Sequence, residues 1–362
     1  MKNTFGTAVT LTLFGESHGA GVGAVLDGMA PGISVDEDFI RHQLSLRRPQ
    51  GAISTPRRET DDFRIVSGVY KGKTTGTPIA ILIPNENTQS GDYPEGMVRP
   101  GHADYTAQCK YHGFQDPRGG GHFSGRVTAA LVAAGAVAIA ALRSNEIYIG
   151  THIRDLAGLE DRPFDDLTVD LETLDDLTFP VLDERMAERM REEILAAAEE
   201  GDSVGGTLET AVTGMPSGVG EPWFDSVESV LSHALFGVPA VKGVEFGEGF
   251  GFSRLRGSEA NDALRVENGK VRHLTNRNGG VNGGITNGMP LLFRTVIRPT
   301  PTIHRPQASI NLSTMENVTQ LSGGRHDPAI VHRARPVVDS VTALVLCDLL
   351  AMRFGTDYIA QI

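Results

Sequence analysis

The chain alternates between short segments in which every second residue is hydrophobic and longer segments in which hydrophobic residues recur every three or four positions. The first pattern, together with its β-branched residues, predicts strands. A strand of this kind is expected at residues 7–14, and further strands are expected at residues 63–70, 79–84, 207–213 and 291–297. Sheet structure is therefore expected in both halves of the chain.

The second pattern predicts helices at residues 34–48, 125–143, 183–200, 225–236 and 336–354. In the first of these, Ser34 and Glu37 match a capping box ahead of an amphipathic run. The last is expected to begin at Pro336 and to end before Gly355, since proline favours a helix start and glycine a helix end. The apolar run 127–142 is too short to span a bilayer, so it predicts a buried helix.

One internal similarity links the two halves of the chain. VLDGMAPGI at 25–33 and AVTGMPSGV at 211–219 both predict a strand, a turn and a following helix. Chance recurrence of turn residues explains this as well as two similarly built halves do, so both interpretations remain open.

A glycine motif near the N-terminus, GAGVGA at 19–24, matches the dinucleotide-binding fingerprint. That fingerprint binds a pyrophosphate only where it opens a helix. Gly28 and Pro31 follow too closely for a helix, so we exclude a Rossmann site.

Composition is typical of a globular protein, and 362 residues allow two domains or one large one. The net charge is −12, but residues 155–202 alone hold 17 acidic and 4 basic residues, which predicts an acidic, solvated segment. The rest of the chain is nearly neutral, so an anion site elsewhere is not excluded. Two cysteines and no apolar N-terminal stretch predict a cytoplasmic protein without a signal peptide.

The segment RPGHADYTAQCKYHGFQDPRGGGHFSGR at 99–126 carries the densest chemistry. Three consecutive glycines allow a ligand to approach the backbone, and the helix start at Ser124 offers N–H groups to an anion. Arg118 and Arg126 would add charge-assisted hydrogen bonds. A glycine-rich loop capped by Ser124, without a ligand, explains the same residues equally well.

Other segments favour a binding site. His18 follows a predicted strand, and His102 follows a Pro-Gly turn; imidazole suits proton transfer at neutral pH. Arg47 and Arg48 lie where the first helix ends, and residues 323–328 (GGRHDP) join a cation and a carboxylate. The chain has no zinc motif, P-loop or nucleophile elbow, so we expect no metal.

Taken together, these motifs resemble the chorismate synthase family. The resemblance rests on GESHG at 15–19, RPGHADYT at 99–106, KYHGFQDPRGGG at 110–121, VKGVEFGEGF at 241–250, RPTPTI at 298–303 and GGRHDP at 323–328. It implies an α+β fold, a β-α-β sandwich with two pseudo-symmetric halves in a single domain spanning 1–362. It also implies a homotetramer that uses reduced FMN.

The activity implied by the resemblance is a carbon–oxygen lyase reaction, the anti-1,4-elimination of phosphate from 5-enolpyruvylshikimate 3-phosphate. It implies His18 as general acid for the phosphate, His102 as proton donor to the flavin, and Asp327 as the carboxylate that takes the C6 proton with flavin N5. The implied substrate-binding residues are Arg47, Arg48, Arg99, Ser124, Arg126 and Arg325. The implied FMN-binding residues are His122, Phe123, Ser124, Pro239, Ala240, Gly283, Arg298, Pro299, Thr300, Pro301, Thr302 and Arg325.

The chain departs from the family pattern at a few positions. His122-Phe123-Ser124-Gly125-Arg126 stands where many members have Arg-Ser-Ser-Ala-Arg, so a cation beside the flavin is replaced by an aromatic ring. The loop 51–56 lacks an arginine that many members have near Ile53. We therefore expect NADPH to act only as an indirect source of electrons, through a separate flavin reductase.

Two other function classes were weighed. An FMN-dependent oxidoreductase would consume reductant in proportion to product. An RNA- or phosphate-binding protein would need a basic domain with stacking aromatics, but only 6% of the residues are aromatic, so we expect no nucleic-acid partner. No membrane partner is expected either.

Overall fold

Two five-stranded antiparallel sheets form the outer layers of the computed structural model, which describes residues 2–55, 60–86, 96–321 and 327–361. The strands are β1 (Thr4–Phe5), β2 (Thr10–Gly15), β3 (Gly21–Asp27), β4 (Arg64–Ser67), β5 (Val69–Tyr70), β6 (Lys73–Thr74), β7 (Ile79–Pro84), β8 (Tyr148–Leu156), β9 (Leu159–Glu160), β10 (Gly206–Thr213), β11 (Val241–Phe246), β12 (Leu264–Glu267), β13 (Lys270–His273), β14 (Val281–Asn282), β15 (Ile285–Thr286), β16 (Leu291–Ile297), β17 (Gln307–Asn311) and β18 (Glu316–Gln320). The first sheet has the order β1-β2-β3-β7-β4 and the second β11-β16-β10-β8-β9.

The two longest helices fill the space between the sheets. The helices are α1 (Glu37–Arg47), α2 (Asp104–Tyr111), α3 (Thr128–Ser144), α4 (Leu167–Asp176), α5 (Glu184–Glu199), α6 (Val227–Leu235), α7 (Gly257–Ala260) and α8 (Val331–Phe354). Helix α3 packs on β3 and β7, α8 packs on β8 and β10, and the two helices pack against each other. Helix α4 covers the other side of β8. The result is the expected β-α-β sandwich.

The central helices are apolar on nearly every side because each is enclosed by a sheet and by other helices. Helix α3 buries all but three of its residues, and α8 buries most of its length. Among the described residues, one helical stretch, Gly125–Ser144, has the length and hydropathy of a membrane span, and 89% of its apolar window is buried inside the protein.

The two halves of the chain repeat one topology. Strands β2 and β3, helix α1 and strands β4 and β7 recur in the same chain order as β8, β10, α6, β11 and β16, and in the same spatial order. Gly28 and Gly214 occupy equivalent turns with φ of 83° and 81°. A Cβ at either position would lie about 2 Å from a backbone carbonyl oxygen, Ala8 O at 1.9 Å and Glu146 O at 2.0 Å. The similarity between residues 25–33 and 211–219 therefore reflects two similarly built halves.

Several local predictions are corrected. Asp36, not Ser34, caps α1, since its carboxylate accepts hydrogen bonds from the N–H groups of Asp38 and Phe39. Helix α8 begins at Val331, so Pro336 lies inside it. The strand predicted at 7–14 begins at Thr10, because the N–H groups of residues 7–9 are bound by the buried carboxylate of Asp348.

The glycine motif at 19–24 leads into β3 rather than opening a helix. Glycine is required inside this strand, because a Cβ on Gly23 would lie 2.2 Å from the ring of Phe14. The motif is thus explained by close packing in the sheet, as the exclusion of a Rossmann site predicts.

Candidate active site

A cavity of about 1280 Å³ opens where the first helices and the loops of both halves meet. Among the described residues, its wall contains seven Arg and Lys side chains but only four Asp side chains. The cavity is therefore positively charged although the whole chain carries −12. Clefts of one sign attract ligands of the opposite sign, so the geometry favours an anionic ligand.

The three glycines form one edge of this cavity. Gly119, Gly120 and Gly121 all have positive φ, at 60°, 82° and 53°. A Cβ on Gly119 would lie 2.5 Å from the His18 ring. Gly121 accepts a hydrogen bond from the N–H of Ser17 at 3.0 Å, so the loop and the GESHG segment form one unit.

His18 lies behind Gly119 and is half-buried, but it is not part of the cavity wall. His122 is in the wall, and its Nδ1 donates to the carbonyl of Gly15 at 2.8 Å. That bond fixes the His122 ring against the same segment. The imidazoles of His18 and His122 are thus both attached to the junction between the GESHG segment and the glycine loop.

At the start of α3, Ser124 has both of the roles that the sequence suggests, as a helix cap and as a residue of the cavity. Ser124 caps the turn that leads into the helix, because its Oγ accepts from the N–H of Arg126 at 3.2 Å. Ser124 also lines the cavity. The Arg126 guanidinium is directed into the protein, where its Nε donates to Asn85 Oδ1 at 2.9 Å and its Nη2 to the carbonyl of Pro84 at 3.0 Å.

A second wall is built from the loops 99–104 and 298–302. His102 Nε2 makes a hydrogen bond to Thr302 Oγ1, and Arg298 donates to the carbonyl of Gly101. Arg99 pairs with Asp104 through Nη2 and Oδ1 at 2.7 Å. Burial alone would raise the pKa of Asp104, but the hydrogen bonds and charge of Arg99 outweigh it and hold that pKa below its ordinary value.

Asp327 faces the cavity from the segment that precedes α8. Its Oδ1 accepts from the N–H of Thr55 at 2.9 Å, and its Oδ2 pairs with Arg333 Nη1 at 2.5 Å. Arg333 Nε also donates to the carbonyl of Arg47 at 2.9 Å. The carboxylate is therefore oriented from two sides, and its side chain is 14% exposed.

The structure brings most of the predicted residues to this cavity. The predicted residues in its wall are His102, Asp327, Arg47, Arg48, Arg99, Ser124, Arg126, His122, Phe123, Pro239, Ala240, Arg298, Thr300, Pro301 and Thr302. Pro299 and Gly283 are not in the wall, and Gly283 forms the exposed tip of the β14–β15 hairpin. Arg325 lies outside the described residues.

Sequence reasoning missed three side chains that organise the site. Asp61 binds the arginine cluster, Asn85 binds Arg126, and Arg333 holds Asp327. None of them stands in a glycine-rich motif. The only sequence signal near Asp61 is the concentration of charged residues at 57–64. Among the described residues, no group of three or more His, Cys, Asp and Glu side chains could hold a metal ion.

The comparisons with known proteins agree with one another. The profile of the family described as chorismate synthase matches residues 9–351. A chorismate synthase from Aeropyrum pernix is 44% identical over 97% of this chain and 93% of the relative, and one from Thermococcus gammatolerans is 46% identical over 96% and 97%. A crystal structure of chorismate synthase superimposes with a TM-score of 0.77 at 27% identity, over 99% of this chain and 100% of the other.

Proposed function

The chain belongs to the chorismate synthase family, and we propose that the cavity around Asp327 and His102 is where it performs that family's reaction. As a chorismate synthase it is a lyase of aromatic biosynthesis, which eliminates phosphate from 5-enolpyruvylshikimate 3-phosphate to give chorismate. The observation that supports the location best is the excess of cations in the wall, since the substrate carries one phosphate and two carboxylates.

Reduced FMN is the proposed cofactor, and the residues present fit it. The cavity of about 1280 Å³ exceeds the roughly 300–1,000 Å³ of an ordinary ligand pocket, so it has room for two ligands. The half-exposed ring of Phe123 offers a surface for an aromatic ring system, and Arg298 and Lys242 offer cations for a phosphate. When bound, reduced FMN supplies an electron as the phosphate leaves and recovers it as the hydrogen leaves.

The side chains of the protein then have separable tasks. Arg47, Arg48 and Arg99 bind and orient the anionic groups of the substrate. Asp327, held at the cavity wall by Thr55 N–H and Arg333, accepts a proton. His102 supplies a proton on the flavin side, where Thr302 orients its ring. His18, which lies outside the wall and next to Gly119, is proposed to supply a proton to the leaving phosphate from that side.

An assembly of four copies is proposed for the active protein. The β12–β13 hairpin exposes Leu264, Val266 and Val271, and the turn before α6 exposes Trp223 at 84% and Phe224 at 88%. Contiguous exposed apolar side chains are typical of subunit interfaces. The same proposal gives Gly283, which lies outside the wall of its own cavity, a place to contact the cofactor of another copy.

We further propose a cytoplasmic enzyme that depends on a separate flavin reductase and has neither nucleic-acid nor membrane partners. Two free cysteines, one exposed and one buried, suit a reducing compartment. Cys347 is fully buried, and burial raises the pKa of its thiol well above the ordinary value, so it is chemically inert.

The test is an anaerobic incubation of the full-length protein with substrate and photoreduced FMN. Phosphate release should proceed for many turnovers while the flavin stays reduced. Flavin oxidation in proportion to product would instead support the alternative, an FMN-dependent oxidoreductase. Absence of phosphate release with the wild-type protein would refute the proposed function.

A further inference from the structure

One buried carboxylate joins the arginines of the cavity. Asp61 Oδ1 forms an ion pair with Arg126 Nη1, and Oδ2 lies 3.5 Å from Arg47 Nη2 and 3.9 Å from Arg48 Nε. The Asp61 side chain is only 1% exposed. A carboxylate so buried is stable only where cations surround it.

The three arginines belong to different elements. Arg47 is the last residue of α1, Arg48 follows it, and Arg126 lies in the turn that starts α3. Asp61 therefore connects the end of one helix to the beginning of another, at the cavity wall that all four residues line. Arg126 is held further by Asn85 and the Pro84 carbonyl, so this side of the cluster is anchored to β7.

The charge of the cluster is the reason that Asp61 matters. Guanidinium groups that share one small volume repel one another strongly, because the effective dielectric inside a protein is much lower than that of water. One carboxylate between three of them removes much of that repulsion and leaves two positive charges in excess. An excess of this size suits a doubly charged oxyanion such as a phosphate monoester.

We infer that Asp61 is a positioning residue, which sets the spacing of Arg47, Arg48 and Arg126 so that the cluster binds the anionic groups of the substrate. The inference rests on the proposed location of the substrate in this cavity. Asp61 itself is saturated by cations of the protein, and its role is to hold them in place.

The decisive variant is Asp61→Asn. Asp61 has a φ of 54°, a conformation that Asn adopts as readily as Asp, so the change removes the charge and keeps the backbone. Two opposite outcomes separate positioning from simple charge screening. If the carboxylate only weakened the positive field, its removal would tighten anion binding; if it positions the arginines, they separate and binding weakens.

The measurement is calorimetric titration of the full-length protein, with FMN present, by 5-enolpyruvylshikimate 3-phosphate and separately by inorganic phosphate. We expect the substrate Kd of Asp61→Asn to rise by about 10- to 100-fold, the loss that a misplacement of about 1 Å can produce. The matched control is Asp62→Asn, which changes the exposed neighbouring carboxylate and should leave Kd unchanged. Unchanged or tighter binding by Asp61→Asn overturns the inference.

A second variant separates positioning from folding. Combining Asp61→Asn with Arg48→Gln removes one charge of each sign, so the effect of losing Asp61 should be smaller in the Arg48→Gln background than in the wild type. Two results would contradict a positioning role. One is an equal effect of Asp61→Asn on the substrate Kd in the wild-type and Arg48→Gln backgrounds. The other is loss of the folded state, measured by circular dichroism, in both Asp61→Asn and the double variant. Failure of the wild type and of Asp62→Asn to bind substrate would instead refute the proposed location of the site.

Discussion

Asp327 is held by a backbone N–H on one side and by Arg333 on the other. Replacement by Asn preserves an oxygen that can accept from Thr55 N–H, so the local structure should survive, but the proton acceptor is lost. We expect kcat of Asp327→Asn to fall by about 10²–10⁴-fold, the usual contribution of general acid–base catalysis, with substrate and FMN affinities within a few-fold of wild type.

Single-turnover kinetics with photoreduced FMN and equilibrium titration of both ligands check this prediction. Asp357→Asn, at an exposed carboxylate near the C-terminus, is the control and should be fully active. Wild-type turnover in the Asp327 variant would remove this residue from the reaction.

The residues of the site form two groups, according to how far away in the sequence their interaction partners lie. His18, His102 and Asp327 stand in glycine-bounded motifs, and local chemistry is enough to select them. Asp61 and Arg333 matter because of partners that only the fold supplies, such as Arg126, which is 65 residues away from Asp61. No local pattern marks such a partner.

At the scale of elements, the two central helices pack closely against each other. A Cβ on Gly135 of α3 would lie 2.2 Å from Ser340 Cβ of α8. Alanine is favoured over glycine in a helix by about 0.5–1 kcal/mol, so propensity alone predicts that Gly135→Ala stabilises. Overpacking typically costs about 1–3 kcal/mol, and we expect it to prevail.

Urea unfolding followed by circular dichroism should therefore give a lower free energy of unfolding for Gly135→Ala. Gly125→Ala is the control, since a Cβ there has no neighbour within 4 Å and should change stability little. A Gly135→Ala protein at least as stable as wild type would show that the helices can separate without loss.

A buried charged cluster joins the acidic segment to the second sheet. His152 of β8 is 0% exposed; its Nδ1 bonds to Asp161 Oδ2 at 2.9 Å and its Nε2 to Glu209 Oε2 of β10 at 3.1 Å. Asp161 also accepts from the N–H groups of Leu182 and Asp183, at the start of α5. Burial alone would lower the pKa of His152, but its two carboxylate partners outweigh it and raise that pKa.

The pH dependence of stability follows from these directions. The pKa of His152 is raised on folding. The stabilisation that the charged imidazole contributes is therefore complete below a pH of about 6.5, the pKa of histidine in an unfolded chain. It is lost as the pH rises through the pKa of His152 in the folded protein. Burial alone would raise the pKa of Asp161, but its hydrogen bonds to His152 and two backbone N–H groups lower it. The stabilisation that Asp161 contributes is therefore lost only in acid, as the pH falls through the pKa of its carboxyl in the folded protein, which lies below the ordinary value.

We expect His152→Gln to destabilise the protein by about 1.5–3 kcal/mol, the worth of a charged hydrogen bond, at pH 6 and by less at pH 9. Urea unfolding of wild type and variant at both pH values tests this. His112→Asn, at an exposed position where Asn tolerates the positive φ of 59°, is the control and should show no such difference. A cost of His152→Gln that is equal at both pH values would mean that the imidazole carries no charge.

Some strands were predictable from a short apolar stretch alone. The strands predicted at 79–84 and 291–297 coincide with β7 and β16. Strand β8 escaped prediction because helices cover both of its faces, so its residues show no alternation. Helix α8 was predicted to start late because its first turn buries His332, a polar residue whose partner Ser54 is 278 residues away and is brought close only by the fold.

At the scale of the whole molecule, the similarity between residues 25–33 and 211–219 is the part of the sequence that indicates a repeat. In the structure this repeat spans five elements in each half. Both equivalent turns require glycine, because a Cβ at either position would clash with a neighbouring carbonyl oxygen. The strands around them have diverged to suit different neighbours, and this is why sequence alone left the repeat undecided. The cavity draws residues from both halves, such as Arg126 from the first and Arg333 from the second.

The distribution of charge over the whole molecule bears on where reduced flavin comes from. Residues 155–202 carry a net charge of −13 and would repel an anionic dinucleotide. The motif at 19–24 leads into a strand and does not form a pyrophosphate site, and the described part of the loop 51–56 contains buried Ile53 and no arginine. We therefore expect the protein to depend on an external flavin reductase.

Incubation of the purified protein with FMN, NADPH and substrate under anaerobic conditions, without light, dithionite or a second enzyme, tests this expectation. Chorismate should stay at the background level, and it should form at once when dithionite or a flavin reductase is added to the same sample. That addition is the control for active protein and intact substrate. Steady chorismate formation with NADPH alone would contradict the expectation, because the protein would then bind the dinucleotide and reduce its own flavin.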